Sequence, residues 1–146
     1  MNRNELPNQA VELETLLPRI MRTIFSLKTS HPTTELPLTQ LRLCLTLMNG
    51  SMSLSSIADE LKTSPSAATQ IADRLEKIGM VERVCCPDDR RVKKLRLTEL
   101  GAAAMKERQK ERIQDAEEAL GHLSLEGRES LMEGLRELLA AAQKSS

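Results

Sequence analysis

Apolar residues recur along this chain with two distinct periods, and the places where the period changes divide it into elements. Val11, Leu13, Leu16, Leu17, Ile20, Met21, Ile24 and Leu27 fall at three- and four-residue steps, the stripe of one long amphipathic helix. Pro18 sits inside that stripe, where its ring and missing N–H predict a kink. The segment His31 to Pro37, with two prolines and two threonines, reads as a loop. A second helix is predicted from Thr39 to Met48, closed by Asn49-Gly50 as a left-handed cap.

Two short helices follow in close succession. Ser53 is placed to cap a helix carrying Leu54, Ile57, Ala58 and Leu61 on one face. After Lys62 and Thr63 comes a fresh start signal, Ser64 as cap and Pro65 at the first helical position. This helix runs to Ile78 and ends at Gly79, with Ala68, Ile71, Ala72 and Leu75 facing inward. At about 100° per residue, Ser66, Gln70, Asp73 and Lys77 face the other way, flanked by Thr69 and Arg74. Helices joined this closely form a helix-turn-helix.

The period then drops to two. Val81 to Cys86 and Val92 to Leu97 are rich in β-branched and apolar residues and are joined by Pro87-Asp88-Asp89-Arg90-Arg91, a hairpin with a charged tip. Thr98 is placed to cap a helix from Glu99 to Leu120, roughly 33 Å at about 1.5 Å per residue, and Gly121 ends it. A last helix starts near Ser124 and carries Leu131, Leu135, Leu138 and Ala142 on one face. The predicted fold is mainly α with a small β-hairpin wing. It comprises a winged helix-turn-helix over residues 38–98, with helical segments at 8–30 and 99–142, an α+β arrangement in one chain.

Composition narrows the class. At 146 residues the chain has the size of one domain, and 40% hydrophobic with 29% charged residues is ordinary for a globular protein. No apolar run approaches the roughly 18 residues of a membrane span, and MNRNELPNQA has no apolar signal core, so a cytoplasmic protein without a membrane partner is expected. Cys44, Cys85 and Cys86 are odd in number, which points to reduced thiols rather than a disulfide framework.

The 21 basic residues equal the 21 acidic ones, a balance that argues against a nucleic-acid partner until it is resolved along the chain. From Met1 to Ser53 the net charge is +1, and from Leu54 to Leu97 it is +2. Arg83 to Arg96 alone carries Arg83, Arg90, Arg91, Lys93, Lys94 and Arg96 against Asp88 and Asp89, net +4. Gly101 to Ala142 is net −3.

A helix pair beside a basic hairpin suits duplex DNA. The second helix of such a pair can enter the major groove, where Ser66, Thr69 and Gln70 offer hydroxyl and amide groups and Ala67 a methyl for thymine. Amides near Ser64 and Pro65 favour a phosphate. Lys62, Lys77, Lys93, Lys94 and Arg96 are candidates to neutralise the DNA backbone, and Arg90 and Arg91 to enter a minor groove.

The run LSSIADELKTSPSAATQIADRLEKIGMVERVCCPDDRRVKKLRLTELG resembles the DNA-binding lobe of the MarR family of bacterial transcriptional regulators. Most diagnostic is PDDRRVKKLRLTELG: an Asp-x-Arg wing, basic and apolar alternation, then Leu-Thr-Glu-x-Gly. The resemblance implies that Arg91 is the wing arginine in the minor groove. It also implies that Asp89 orients Arg91 through a salt bridge with Arg74, and that residues 8–30 and 99–142 form a homodimerisation region. A dimer of this kind reads a pseudo-palindromic double-stranded operator, most often as a repressor.

Regulation is less legible. Family members respond to small molecules or oxidants. With Phe25 the only aromatic residue, there is little surface to stack on a ring ligand. Cys85 and Cys86 beside the wing are candidate redox residues, on opposite faces of a strand. His31 and His122 are isolated, so no metal site or cofactor is expected. Enzyme signatures such as a phosphate-binding glycine loop or Gly-x-Ser-x-Gly are absent. The alternative function is a winged helix used for protein contacts without a specific DNA target.

Overall fold

The computed structural model describes residues 5–25, 33 and 36–144. In chain order they form α1 (Glu5–Ile24), α2 (Leu38–Leu47), β1 (Met52–Ser53), α3 (Leu54–Glu60), α4 (Pro65–Lys77), β2 (Val81–Cys85), β3 (Lys93–Leu97), α5 (Glu99–Gly121) and α6 (Leu125–Lys144). The chain divides into two units: residues 27–110, and residues 1–26 with 111–146.

In the first unit the caps act where the residue types demand them. The Ser53 hydroxyl accepts the Ser56 N–H at 3.2 Å, opening α3. That of Ser64 accepts the Ala67 N–H at 3.1 Å, opening α4 with Pro65 at its first position. Between them the chain turns through Lys62, whose φ of +52° is left-handed. The Lys62 N–H donates to Asp59 at 3.1 Å and the Thr63 N–H to Ala58 at 3.0 Å, the paired closure of a Schellman cap. Gly50 departs from expectation: its φ of +132° lies far from the left-handed helical value of about +57°. The α2 terminus closes instead through the Asn49 and Gly50 amides on the Thr46 and Leu47 carbonyls.

The sheet contains a strand absent from the sequence-based expectation. β1 is two residues long and pairs antiparallel with β3, Met52 opposite Leu95, giving the order β1-β3-β2. The wing pairs Val81 with Leu97 through Cys85 with Lys93, and the Cys86 N–H extends the ladder to Val92 at 3.0 Å. Against this sheet Leu43, Leu47, Ile57, Ala68, Ala72, Leu75, Val81, Leu95 and Met105 form one buried core. Of the expected inward face of α4, Ala68, Ala72 and Leu75 are fully buried and Ile71 half-buried.

The Leu-Thr-Glu-x-Gly motif has a packing explanation. The Thr98 hydroxyl accepts the Gly101 N–H at 3.0 Å, which caps α5, and donates to the Gly79 carbonyl. The Thr98 N–H binds the Met80 carbonyl at 3.1 Å. A Cβ on Gly101 would lie 2.0 Å from that same carbonyl oxygen, so position 101 requires glycine.

The second unit contains α1, the later part of α5, and α6. α1 is continuous through Pro18, and Leu27, the last position of its expected stripe, lies outside the described residues together with His31. The Ser124 hydroxyl caps α6 through the Gly127 N–H at 3.1 Å. The Arg112 guanidinium lies 3.9 Å from the centroid of the Phe25 ring, a cation–π contact that covers one face of the ring. No residue of α1 or α6 is buried.

Candidate nucleic-acid interface

The outward face of α4 is polar and free of the core. Ser64, Ser66, Thr69, Gln70, Arg74 and Lys77 are exposed, and Ala67 is half-buried. Their availability differs. The Thr69 hydroxyl donates back to the Pro65 carbonyl at 3.0 Å, which spends its proton inside the helix. Pro65 has no N–H and the Ala67 N–H is taken by Ser64, so the first turn offers a phosphate fewer amides than its sequence suggests. Arg74 and Lys77 sit in the last turn, where cations favour the helix dipole.

At the wing, Asp89, Arg90, Arg91 and Lys93 are exposed. Asp89 folds the tip: its carboxylate accepts the Arg91 N–H at 2.9 Å, and its carbonyl accepts the Val92 N–H at 3.1 Å. The salt bridge to Arg74 implied by the resemblance is therefore corrected. Among the described residues Asp89 forms no ion pair with Arg74, because its short side chain is used on the local turn.

The tie between α4 and the wing runs through Arg83 on β2, whose guanidinium pairs with both Asp73 and Glu76 of α4. The hydrogen bond to Asp73 is the main reason that Arg83 is held still more firmly protonated, against the opposing effect of its partial burial. In the sequence Arg83 counts only among the basic residues around the wing; Asp73 and Glu76 at i and i+3, followed by a strand arginine, are the signal of its pairing. Farther along the sheet, Arg96 bonds Glu82 at 2.7 Å across the ladder. Both partners are exposed, so the pair contributes little stability.

The three thiols differ. Cys44 lies in the core, and burial pushes it up to about 11. Cys85 is exposed and Cys86 half-buried at the wing root. Among the described residues no group of three or more His, Cys, Asp or Glu is placed to hold a metal ion. A cavity of about 330 Å³ is lined by Leu47, Met48, Gly50, Ser51, Arg96, Leu97, Ala102 and Lys106. No described helix is long and apolar enough to cross a membrane.

A capped helix pair, an exposed polar second helix and a cationic hairpin on one small sheet define a winged helix-turn-helix protein. Residues 36–93 match the family model described as MarR family. Over 53 residues it is 43% identical to the HTH-type transcriptional repressor MdtR of Bacillus subtilis (strain 168). That alignment covers 36% of this chain and 34% of the repressor, so the match spans about a third of the relative's length.

Solved structures extend the likeness over nearly the whole chain. A MarR-like transcriptional regulator from Thermotoga maritima is 27% identical, with 98% of each chain covered and a TM-score of 0.79. The YusO protein from Bacillus subtilis is 26% identical, with 98% of each covered and a TM-score of 0.68. A MarR family protein from Bacillus stearothermophilus, 22% identical with a TM-score of 0.82 over 98% of this chain and 99% of that one, shares the fold.

Proposed function

We propose that this protein binds double-stranded DNA sequence-specifically as a homodimer on a pseudo-palindromic operator and represses transcription. The observation that carries the reading is the exposed polar face of α4 on the same small lobe as the exposed cations of the wing. In the major groove Gln70 pairs with an adenine edge, Ser66 meets a neighbouring base, and Ala67 approaches a thymine methyl. Ser64, Lys77 and Lys93 meet phosphates, which set register without selecting sequence. Arg90 and Arg91 enter a narrow minor groove, with Asp89 shaping the turn that presents Arg91. The name of the repressor MdtR supports the direction of regulation.

The unburied apolar stripes of α1 and α6 support self-association. A two-fold dimer carries two reading helices about 34 Å apart, one turn of duplex. The release signal is a small molecule or an oxidant, and the exposed Cys85 beside Cys86 supports the oxidant.

Selection of the full chain against random-sequence duplexes tests this: an enriched inverted repeat is expected, and no enrichment favours a protein-contact module. Sedimentation should give about twice 16.3 kDa. Replacing Arg91 with Ala should weaken operator binding by about 1–3 kcal/mol, and an unchanged affinity removes it from the site. Peroxide titration of the protein–DNA complex, with Cys85→Ser and Cys86→Ser, decides the redox arm. Retained affinity on oxidation excludes it.

A further inference from the structure

The α4 face proposed to meet DNA carries two carboxylates that belong poorly beside a polyanion. Asp73 shares the outward face with Ser66, Gln70 and Lys77, and its side chain is 57% exposed; that of Glu76, one turn on, is 40% exposed. Unanswered, each repels phosphates that come within a Debye length, about 10 Å at 0.1 M salt. The structure answers both with one residue. Arg83 on β2 reaches Asp73 with Nη2 and Glu76 with Nη1, so the two ends of its fork engage different acids. Its own side chain is 24% exposed, the least exposed of the three, so the guanidinium draws the carboxylates toward the strand.

We infer that Arg83 is a positioning residue for DNA recognition: it masks Asp73 and Glu76 and holds them against β2, so that the outward face of α4 can approach phosphates. The inference rests on the DNA reading above. Because it acts on the backbone field, its loss weakens operator and unrelated duplex alike, and the loss shrinks as salt rises. A purely mechanical tie has a different signature: removing the acids as well as the arginine leaves the tie broken and the defect in place.

Affinity is measured for the wild type, Arg83→Ala, Asp73→Asn/Glu76→Gln, and the three changes together. Each is titrated with the selected operator and a scrambled duplex at 50 and 200 mM salt, with circular dichroism to check folding. Arg83→Ala should weaken binding to both duplexes about tenfold at the lower salt and less at the higher. The triple variant should recover to within about threefold of wild type, since no unmasked carboxylate remains. Should Arg83→Ala not fold, Asp73→Asn/Glu76→Gln decides. It frees the guanidinium and should raise affinity, and an unchanged or lower affinity overturns the inference. A triple variant as weak as Arg83→Ala, or an Arg83→Ala protein that binds like wild type, also overturns it. A wild type that binds neither duplex overturns the DNA reading and the inference together.

Discussion

The winged lobe and the helical unit use the same sequence device and reach opposite outcomes. In the lobe, the apolar positions of α2, α3, α4 and β3 converge: Leu43, Ile57, Leu75 and Leu95 have no exposed surface. In the helical unit the stripes are as regular, yet Leu13, Leu16, Leu17, Ile20, Leu131, Leu135 and Leu138 each keep 42–44% of their surface exposed. Periodicity thus identifies which face is apolar and is silent on what covers it. With 42–44% of each side chain left to cover, completing the burial of these residues would gain roughly 0.6–1.3 kcal/mol apiece, a sum over the stripe that supports the proposed second copy.

The largest expected effect separates the two regions directly. Leu95→Ala removes a fully buried side chain from the centre of the sheet and should cost about 2–5 kcal/mol, read from the denaturant midpoint. Leu135→Ala, on a 43%-exposed position, should cost an isolated chain less than about 1 kcal/mol while weakening self-association. Sedimentation of Leu135→Ala should therefore shift toward the 16.3 kDa monomer on dilution. If the two variants lose equal stability at every protein concentration, the distinction between a covered and an uncovered stripe is wrong.

Next in size is a backbone contact within the lobe. Gly101→Ala sets a Cβ 2.0 Å from the Met80 carbonyl oxygen, an overlap with backbone that no rotamer relieves. It should cost about 3 kcal/mol in thermal or denaturant unfolding. A loss below about 1 kcal/mol would mean that the start of α5 can slide away from Met80, and that the lobe is less rigidly built than its core implies.

Much of this lobe was legible in advance because its signals are local. Ser53, Ser64 and Thr98 are capping residues at the starts of helices, and each accepts the expected amide. Glycine at 101, by contrast, answers a contact between residues 21 apart in sequence, which no local pattern encodes. β1 was missed because two residues are too few to display a period, and Ser53 serves both strand and cap. The site divides the same way. Exposure of Ser66, Gln70 and the wing cations follows from helical and strand spacing. The partners of Asp89 and Arg83 depend on side-chain reach, and there the expected Asp89–Arg74 bridge gave way to a local turn and to a tie from Arg83 of β2 to Asp73 and Glu76 of α4.

The smallest effect lies in the turn between α3 and α4, where the lobe departs from its own regularity. Lys62 holds a left-handed φ of +52°, a conformation that costs a side-chain-bearing residue about 1–2 kcal/mol. Glycine takes it without that penalty but loses about 0.5–1 kcal/mol more chain entropy on folding. The difference predicts that Lys62→Gly stabilises the lobe by about 0.5–1 kcal/mol, since the Lys62 and Thr63 amides that close α3 need no side chain at 62. If the exposed ammonium also meets a phosphate, the same variant binds DNA more weakly, and its plot of log affinity against log salt is shallower by about 0.9. Stability that rises while the salt slope falls gives the lysine its reason to occupy a position suited to glycine. Stability that rises with the slope unchanged leaves Lys62 a strained cap and removes it from the DNA-facing surface.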